Sequence, residues 1–325
     1  MSVSLPDMTR LLVIAAAWAA GLALAQPYPN RPIKLVVPWP PGQATDTVAR
    51  VVADKMSAQI GQQFVIDNRP GAGGTVGSDF AAKAAPDGYT ILAGSSGPIS
   101  ISPRVQKVPY DPDKDFEPLC LMASSAYVLV SNPSFPAKDF GEFVAALKAN
   151  PGKYTFASSG TGATAHLAAE LFNSTFGIQA THVPYKGSAP AITDLIAGHV
   201  SYAFETVAAV LPHVKAGKLR AYAVSSPERS IIVPELPTIV EAGNAADFDV
   251  RAWIGLIAPT GIPRDARMRL GSECQKAVQT ADVREKLLAA GLEPDSLPMD
   301  QIPGYLRKQG ERFGEVARQA KIGLD

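Results

Sequence analysis

Two loops hold the residues whose types and spacing could do chemistry. In the first loop, Trp39 precedes the run Pro41-Gly42-Gln43-Ala44-Thr45-Asp46. The second loop holds a set of glycines, hydroxyls and an imidazole, made of Ser159, Gly160, Thr161, Gly162, Thr164 and His166. Each loop follows a short apolar run and opens an amphipathic segment, which is the pattern of a strand followed by a helix.

Backbone amides at the start of a helix are the chemistry that these loops offer. The first N–H groups of a helix have no partner within it, and the helix dipole favours a negative charge beside them. Glycine lets the backbone come close to a ligand. Two such loops facing each other across a cleft predict the capture of a small organic acid without any arginine. Ordinary turns between strand and helix are the alternative interpretation, because α/β folds contain many of them.

Three of these side chains have two interpretations each. His166 could hydrogen-bond a ligand carboxylate, or it could cap and pack in the first turn of its helix, since a neutral imidazole suits both roles. Asp46 is expected to serve its helix N-terminus more than the ligand. Trp39 is expected to form an apolar wall for an aromatic acid, with ordinary packing as the alternative.

The other candidate ligand-binding residues come in pairs near the ends of predicted strands. They are Ser95 with Ser96, Tyr185 with Lys186, and Glu205 with Thr206. The hydroxyls of Ser95 and Ser96 could donate to a carboxylate or merely terminate their strand. Lys186 could supply a cation to the cleft, but a solvated lysine is the favoured interpretation, because lysine side chains are mostly exposed.

The sequence lacks the familiar motifs of catalysis and of cofactor or metal binding. The four histidines lie too far apart for a paired metal site, and C-x-x-C and P-loop patterns are absent. The run 94–98 misses the last glycine of a nucleophile elbow. The glycine-rich run 71–77 resembles a dinucleotide fingerprint only loosely, and a turn opening a helix is the favoured interpretation. We therefore expect that the protein is not an enzyme and that it binds no cofactor or metal. The alternative is a hydrolase or lyase whose cleft uses His166 together with Glu205 or Asp46.

The composition excludes a global attraction to nucleic acid or to an anionic membrane. The chain has 325 residues, 46% of them apolar, and its 30 basic and 30 acidic residues cancel. A neutral chain has no net field that would draw in a polyanion. The length is sufficient for one large domain or two medium ones, each with a core of its own.

The N-terminal segment predicts export. Arg10 precedes an apolar stretch that ends in Ala23-Leu24-Ala25, which is the pattern of a signal peptide covering residues 1–25, with Met8 as an alternative start. The next residue is Gln26 rather than cysteine, so no lipid anchor is expected. No later segment is long and apolar enough to span a bilayer. The mature protein is expected in the periplasm.

Export makes a disulfide between the two cysteines, Cys120 and Cys274, chemically possible. Both lie in apolar surroundings, and free cysteine is among the most buried residue types. The favoured expectation is therefore two buried free thiols, with a bridge as the alternative.

Strands and helices alternate along the chain, which predicts parallel strands with right-handed crossovers in an α/β layer. The pattern predicts strands at 33–37, 63–66, 89–93, 127–130, 154–157, 182–185, 202–204 and 220–224. It predicts helices at 46–60, 75–85, 139–149, 164–176, 190–197, 207–216, 264–290 with a break, and 301–320.

The alternation starts twice, so the chain is expected to form two α/β lobes. Extended segments near 120–131 and 248–258 are expected to cross between the lobes, after which the C-terminal helices return to the first one. Lobe 1 then comprises residues 26–123 and 250–325, and lobe 2 comprises residues 124–249. The cleft between the lobes is the expected site, because ligands of open α/β sheets lie at the carboxyl ends of strands.

Seven short motifs spread over most of the chain carry a resemblance to a known family. They are Tyr28-Pro-x-Arg-Pro-Ile33, Pro38-Trp-Pro-Pro-Gly42 with Thr45-Asp46, Asn68-Arg-Pro-Gly-Ala-Gly-Gly74, Pro86-Asp-Gly-Tyr-Thr90, Ser158-Ser-Gly-x-Gly162 with His166-Leu167, Val183-Pro-Tyr-Lys-Gly187, and Ala216-Gly-Lys-Leu-Arg220. In this order and spacing the chain resembles the Bug family, the extracytoplasmic solute receptors of tripartite tricarboxylate transporters.

The resemblance implies a two-lobed, type II-like periplasmic binding protein that closes on its ligand like a Venus flytrap. It implies a small carboxylate ligand, such as a dicarboxylate, an acidic amino acid, nicotinate or an aromatic acid. The family's loops at positions matching 40–46 and 158–166 line the cleft, where ordered waters help bridge one carboxylate. The implied partners are membrane permease subunits, or a sensor protein if the role is in signalling. The protein itself is expected to be a monomer.

Three residues depart from the family pattern and leave the ligand open. Gln43 stands where a second glycine is usual, which adds an amide beside the proposed carboxylate seat. Ser188 replaces a glycine, and Glu205 stands where aspartate is frequent. If Glu205 faces the cleft, its carboxylate would repel a second ligand carboxylate or pair with a ligand amine.

Overall fold

Ten strands form one mixed sheet in the computed structural model, which describes residues 28–323. The strands are β1 (Ile33–Val37), β2 (Phe64–Asn68), β3 (Thr90–Ser95), β4 (Phe116–Ser131), β5 (Thr155–Ser158), β6 (Thr181–Pro184), β7 (Tyr202–Thr206), β8 (Arg220–Val224), β9 (Arg251–Pro259) and β10 (Glu293–Pro294). The α-helices are α1 (Ala44–Ile60), α2 (Thr75–Ala82), α3 (Ser102–Val105), α4 (Phe140–Ala149), α5 (Thr164–Phe176), α6 (Ser188–Ala197), α7 (Val207–Lys215), α8 (Ile239–Gly243), α9 (Arg264–Gln279), α10 (Ala281–Ala289) and α11 (Ile302–Gln319). A 3-10 turn (Ala72–Gly74) precedes α2, and a π-turn (Gly97–Ile101) follows β3.

The sheet has two parallel ends joined by long antiparallel strands. Its order is β2-β1-β3-β9-β4-β7-β5-β6, with β8 and β10 also paired to β4. In the first half, β1 pairs in parallel with β2 and β3. In the second half, β5 pairs in parallel with β6 and β7. The predicted α/β alternation in two successive units is confirmed.

The two crossings correspond to β4 and β9. The first part of β4 pairs with β9, and its last five residues, from Tyr127 to Ser131, pair with β7. Ser225, just after β8, joins both crossings: its hydroxyl donates to Val250 O and accepts from Tyr127 N–H. One buried serine therefore fixes the place where both strands pass between the halves.

Each face of each half of the sheet is covered by its own apolar cluster. In the first half, Val48 and Val52 of α1 pack on Leu35, while Ala81 of α2 packs with Leu92 on the other face. In the second half, α5 covers one face and α6 with α7 the other. Short apolar strands with few polar residues are the pattern of strands covered on both sides.

The last helix differs from the expectation that the C-terminal helices return to the first lobe alone. Ile302, at the start of α11, packs in a cluster of the first half, whereas Phe313 and Val316 pack with Phe172 in the second half. The helix therefore spans both halves beside the crossings. The lobe boundaries at 123/124 and 249/250 stay a prediction.

A disulfide joins Cys120 of β4 to Cys274 of α9, so the expectation of free thiols was wrong. The bridge ties a crossing strand to a C-terminal helix within the core of the first half. The local sequence could not show this, because the partners lie 154 residues apart. Both cysteines are as buried as expected, at 1% and 0% exposure.

Two further expectations concern membrane-spanning and targeting segments. The predicted signal peptide lies outside the described residues. Among residues 28–323, no helix has the length and apolar character needed to cross a membrane.

Candidate functional site

The topology creates a crevice at the carboxyl ends of the strands in each half. Because β1 lies between β2 and β3, the helix after β1 and the helix after β2 leave toward opposite faces of the sheet. In the second half the β5–α5 loop and the β6–α6 loop separate in the same way. Ligands in α/β sheets bind where adjacent loops separate to opposite faces. The two predicted loops occupy these positions.

Asp46 organises the first loop rather than facing open solvent. Its carboxylate accepts hydrogen bonds from the Gly42 amide at 2.9 Å, Arg50 Nε at 2.9 Å and Asn68 Nδ2 at 2.8 Å. The Asn68 amide also donates to Trp39 O at 3.0 Å, so it fixes both ends of the loop. Burial opposes ionisation, but these hydrogen bonds outweigh it and lower the pKa of Asp46. The carboxylate is therefore ionised at neutral pH.

Trp39 joins three loops of the first half. Its indole N–H donates to Ser95 Oγ at 3.0 Å. The ring lies against two glycines of neighbouring loops, since a Cβ on Gly74 would lie 3.4 Å from it and one on Gly97 3.5 Å. The indole is half-buried, so it packs as a spacer between loops and still presents an apolar surface. The next residue, Ser96, is buried at 4% exposure.

His166 holds the second loop. Its Nδ1 accepts a hydrogen bond from the Gly162 amide at 3.1 Å, so that nitrogen carries no proton. Its Nε2 lies 3.5 Å from Glu170 Oε1, and the ring is 3% exposed. The structure shows the ring packed in the first turn of its helix, where it accepts from a loop amide, and a direct role in ligand binding stays a prediction. A Cβ on Gly162 would lie 3.6 Å from the side chain of Val105, which packs against the apolar cluster of the second half.

A second imidazole, that of His182, stacks on His166 and contacts the start of the same loop. The ring of His182 stacks on that of His166 with centroids 3.7 Å apart and an interplanar angle of 12°. His182 Nε2 lies 2.7 Å from Ser158 Oγ, which also donates to Gly160 O at 3.0 Å. Burial, reinforced by the neighbouring His166, lowers the pKa of His182 to about 4. The His182 ring is therefore neutral over most of the physiological range.

The two loops share one device. In each, a glycine amide donates to the side chain four residues later, Gly42 to Asp46 and Gly162 to His166. Both glycines have a positive φ, +84° and +76°, a backbone conformation that residues other than glycine rarely adopt. The side chain thus satisfies the amide that precedes the N-cap residue, instead of an amide inside the helix.

The device leaves the first amides of both helices available to a ligand. The N-cap residues, Gln43 and Ala163, make no side-chain capping bond. The first backbone bonds of the two helices come from Thr47 N–H and Leu167 N–H. Within residues 28–323, the backbone amides of residues 44–46 and 164–166 have no hydrogen-bond partner in a loop or side chain. Two helix N-termini with unfilled amides are an arrangement suited to an anion.

The β6–α6 loop completes the second crevice. Tyr185 N–H donates to Ser158 O at 3.0 Å, and Gly187 N–H donates to Ser159 O at 3.2 Å, so the loops are joined through their backbones. The Tyr185 hydroxyl is committed to Asp194 at 2.7 Å. Lys186 is exposed, which fits the favoured interpretation of a solvated lysine.

The remaining predicted site residues differ in their exposure to solvent. Gly42, Gln43 and Ala44 are exposed at the first loop, together with Pro41. In the second loop Thr161 is exposed, Ser159 and Gly160 are half-buried and Thr164 is buried. Thr45 of the first loop is buried as well. Thr206 is half-buried at the end of β7, and the preceding Glu205 is 1% exposed.

The sequence analysis missed the residues that hold the loops from behind. These are Arg50, Asn68, Ser158 and His182. One sequence signal could have found part of the arrangement: a glycine followed four residues later by Asp or His at the start of each helix. No cluster of three metal-ligating side chains is present within residues 28–323.

Comparison with known proteins places the chain among solute receptors. Residues 48–322 match the family described as tripartite tricarboxylate transporter family receptor. The chain is 37% identical to the protein BugT of Bordetella pertussis, with 98% of this chain and 99% of that protein covered. The solved structure of Rpa4515 of R. palustris with adipate is 32% identical to this chain, with a TM-score of 0.76, and the match covers 91% of this chain and 99% of that one. The structure of MatC of Rhodopseudomonas palustris with bound malate is also 32% identical, with a TM-score of 0.72, and the match covers 89% of this chain and 99% of that one.

Proposed function

The chain belongs to the tripartite tricarboxylate transporter receptor family, and from this premise we propose that it captures a small organic carboxylate between its two halves. The observation that carries the proposal is the repeated device of Gly42 with Asp46 and Gly162 with His166. It leaves two helix N-termini unfilled, one in each half of the sheet. A carboxylate has two oxygens, so one group can accept from both loops, directly or through water.

The ligands of similar structures support the chemical class. MatC holds malate and Rpa4515 holds adipate, and both are small organic dicarboxylates. The two differ in length and in polar substituents, so the feature they share is the carboxylate. We propose the same class for this chain, without carrying over either ligand.

Closure follows from a difference in affinity between two states. In an open state each loop offers its amides to solvent, and in a closed state both face one carboxylate. A ligand shifts such an equilibrium only by the extent to which it binds the closed state better. β4, β9 and Ser225 provide the narrow connection about which the halves can rotate.

The partner in this proposal is a tripartite-type membrane permease, which the loaded receptor meets in the periplasm. Family membership and the export signal expected at residues 1–25 support this assignment. Catalysis is disfavoured, since His166 and Asp46, two of the three side chains considered for it beside Glu205, are committed to loop amides and to Arg50.

Binding of matched acids and amides tests the proposal. The purified protein is unfolded, dialysed and refolded to remove any co-purified ligand, and its melting temperature is then measured with each compound. An acid present at a hundred times its Kd should stabilise the protein by about 2.7 kcal/mol, while the amide of the same skeleton should not. No shift with any small carboxylate would refute the proposal.

A further inference from the structure

Glu205 carries a buried carboxyl oxygen that nothing in the protein satisfies. The residue is 1% exposed, and its Oε1 has no hydrogen-bond partner within residues 28–323. A buried acceptor without a donor costs free energy, so such groups are rare in native proteins unless a ligand, ion or water pairs with them. The orphaned oxygen therefore needs an explanation.

The position of Glu205 connects this oxygen to the second crevice. The residue is the last but one in β7, a strand whose carboxyl end lies beside that of β5, which leads into the second loop. Burial raises the pKa of its carboxyl, and the hydroxyl of Ser188, the first residue of α6, and the backbone amide of Thr206 lie close enough to oppose that rise. Glu205 therefore lies where the β6–α6 loop, the β5–α5 loop and the end of β7 meet.

The neighbouring residues of the sheet are apolar apart from the buried Tyr127, whose pKa is raised by burial and by the nearby Glu205. Glu205 pairs across the sheet with Val128, and Val128 and Ala203 belong to the cluster beneath α6 and α7. Burial raises the pKa of Glu205 to about 7, although the bonds from Ser188 and Thr206 oppose the rise. A further donor would favour the ionised form and satisfy Oε1 at the same time.

No lysine or arginine supplies that donor. Lys186 is two residues from Ser188 in the chain, yet its side chain is exposed and makes no hydrogen bond within residues 28–323. The cost of the unpaired oxygen is thus left for a bound molecule to remove. A carboxylate without a donor would instead be repelled by the ionised form.

We propose that Glu205 selects ligands that carry a hydrogen-bond donor, an ammonium or a hydroxyl group, beside the carboxylate held by the two loops. This rests on the proposed function, because it assumes that a carboxylate occupies the crevice. The donor pairs with Oε1 and relieves its isolation. Glu205 is then a specificity-determining residue, and acids without a donor are the ligands that it rejects.

Two series of matched probes separate the sources of the donor. Succinate, malate and aspartate share one skeleton and differ only in hydrogen, hydroxyl or ammonium at one carbon. Propionate, lactate and alanine do the same with a single carboxylate. Their affinities for the refolded protein are measured by calorimetry at pH 7.5. We expect a donor-bearing member of a series to bind at least tenfold more tightly than the member without one.

Variants assign the preference to Glu205. In Glu205→Gln the preference for ammonium over hydrogen should fall to about threefold or less, and in Glu205→Asp it should persist with weaker binding overall. Glu273→Gln is the matched control, since Glu273 is also buried, at 5% exposure, but pairs with Lys276 at 3.0 Å in α9. Its ranking of ligands should equal that of the unchanged protein.

The outcomes separate this inference from the proposed function. If acids of both series bind equally well with and without a donor, or if Glu205→Gln alters stability but leaves the ranking unchanged, Glu205 is a structural acid and the inference is wrong. If a variant fails to fold, the affinities of the unchanged protein for acids with and without a donor still test whether a donor is preferred. If no carboxylate binds at all, the proposed function fails first.

Discussion

The Gly162 amide donates to His166 Nδ1 at 3.1 Å, which repeats in the second half of the molecule what Gly42 and Asp46 do at 2.9 Å in the first. One acceptor is a carboxylate oxygen and the other an imidazole nitrogen, yet the spacing and the position relative to the helix start are the same. The common requirement is an acceptor that restrains the loop glycine without occupying the helix amides. The first prediction concerns this requirement.

Removing either acceptor should weaken ligand binding without unfolding the protein. Asp46→Ala and His166→Ala leave the glycine amide unrestrained, so the loop must be ordered by the ligand at its own cost. We expect the affinity for a bound carboxylate to fall roughly tenfold or more, measured by calorimetry. Asp54→Ala is the control, because Asp54 is exposed on the same helix as Asp46 and should leave the affinity unchanged.

Each variant should also lose stability. The removed side chains accept hydrogen bonds from the loop amides, and a typical intramolecular hydrogen bond contributes about 0.5–1.5 kcal/mol net. Asp46→Ala should be the larger loss, since it also releases Asn68 and Arg50. Denaturant titration measures both values. Undiminished affinity in both variants would show that the shared device does not prepare the loops for a ligand.

His182 should make the protein less stable in acid. Burial and the neighbouring His166 lower its pKa from 6.5 to about 4, so the unfolded chain binds this proton more readily than the folded one. Stability from the neutral ring is present above pH 6.5 and is lost as the pH falls toward 4. His182→Gln should flatten this part of the stability profile, whereas His199→Gln, at an exposed position, should not. Equal slopes in all three proteins would contradict the assignment.

Glu205 should have the opposite effect at higher pH. Burial raises its pKa in the folded state to about 7, above the ordinary value of 4.5 that holds in the unfolded chain, so the folded state binds the proton more tightly. Stability is then present below pH 4.5 and declines as the pH rises through 7, by about 3 kcal/mol in total. Glu205→Gln should remove this decline, as measured by denaturant titration between pH 5 and 8. A saturating donor-bearing ligand should also reduce it.

The disulfide should be a major contributor to stability. It closes a loop with a sequence separation of 154 residues, for which the chain-entropy account gives at most about 5 kcal/mol. We expect the double variant Cys120→Ser, Cys274→Ser to melt several degrees lower. A reducing agent should lower the melting temperature of the unchanged protein and leave that of the variant as it is. A melting temperature that does not change on reduction would show that the bridge contributes little.

How far the sequence predicts this molecule depends on the range of the interaction. The strands and helices follow local periodicity, and α5 begins and ends at the predicted residues 164 and 176. Glycines followed by amphipathic segments also located both loops of the candidate site. Local chemistry is sufficient there because a helix N-terminus carries its amides wherever it lies.

The parts that could not be predicted depend on distant partners. Asn68 fixes the first loop from 29 residues away, and His182 reaches Ser158 from 24 residues away. The bridge from Cys120 to Cys274 and the packing of α11 on both halves depend likewise on tertiary contacts. The unpaired state of Glu205 is a property of its surroundings, so its residue type alone could not reveal it.

Calorimetric titration of the refolded protein with acids and the amides of the same skeletons tests the central claim most directly. The account predicts that at least one small carboxylic acid binds with one site per chain and that its amide, which carries no charge, binds at least tenfold more weakly. It predicts further that Asp46→Ala and His166→Ala weaken the binding of the acid. Equal binding of acid and amide, or binding of neither across small mono- and dicarboxylates, would contradict it.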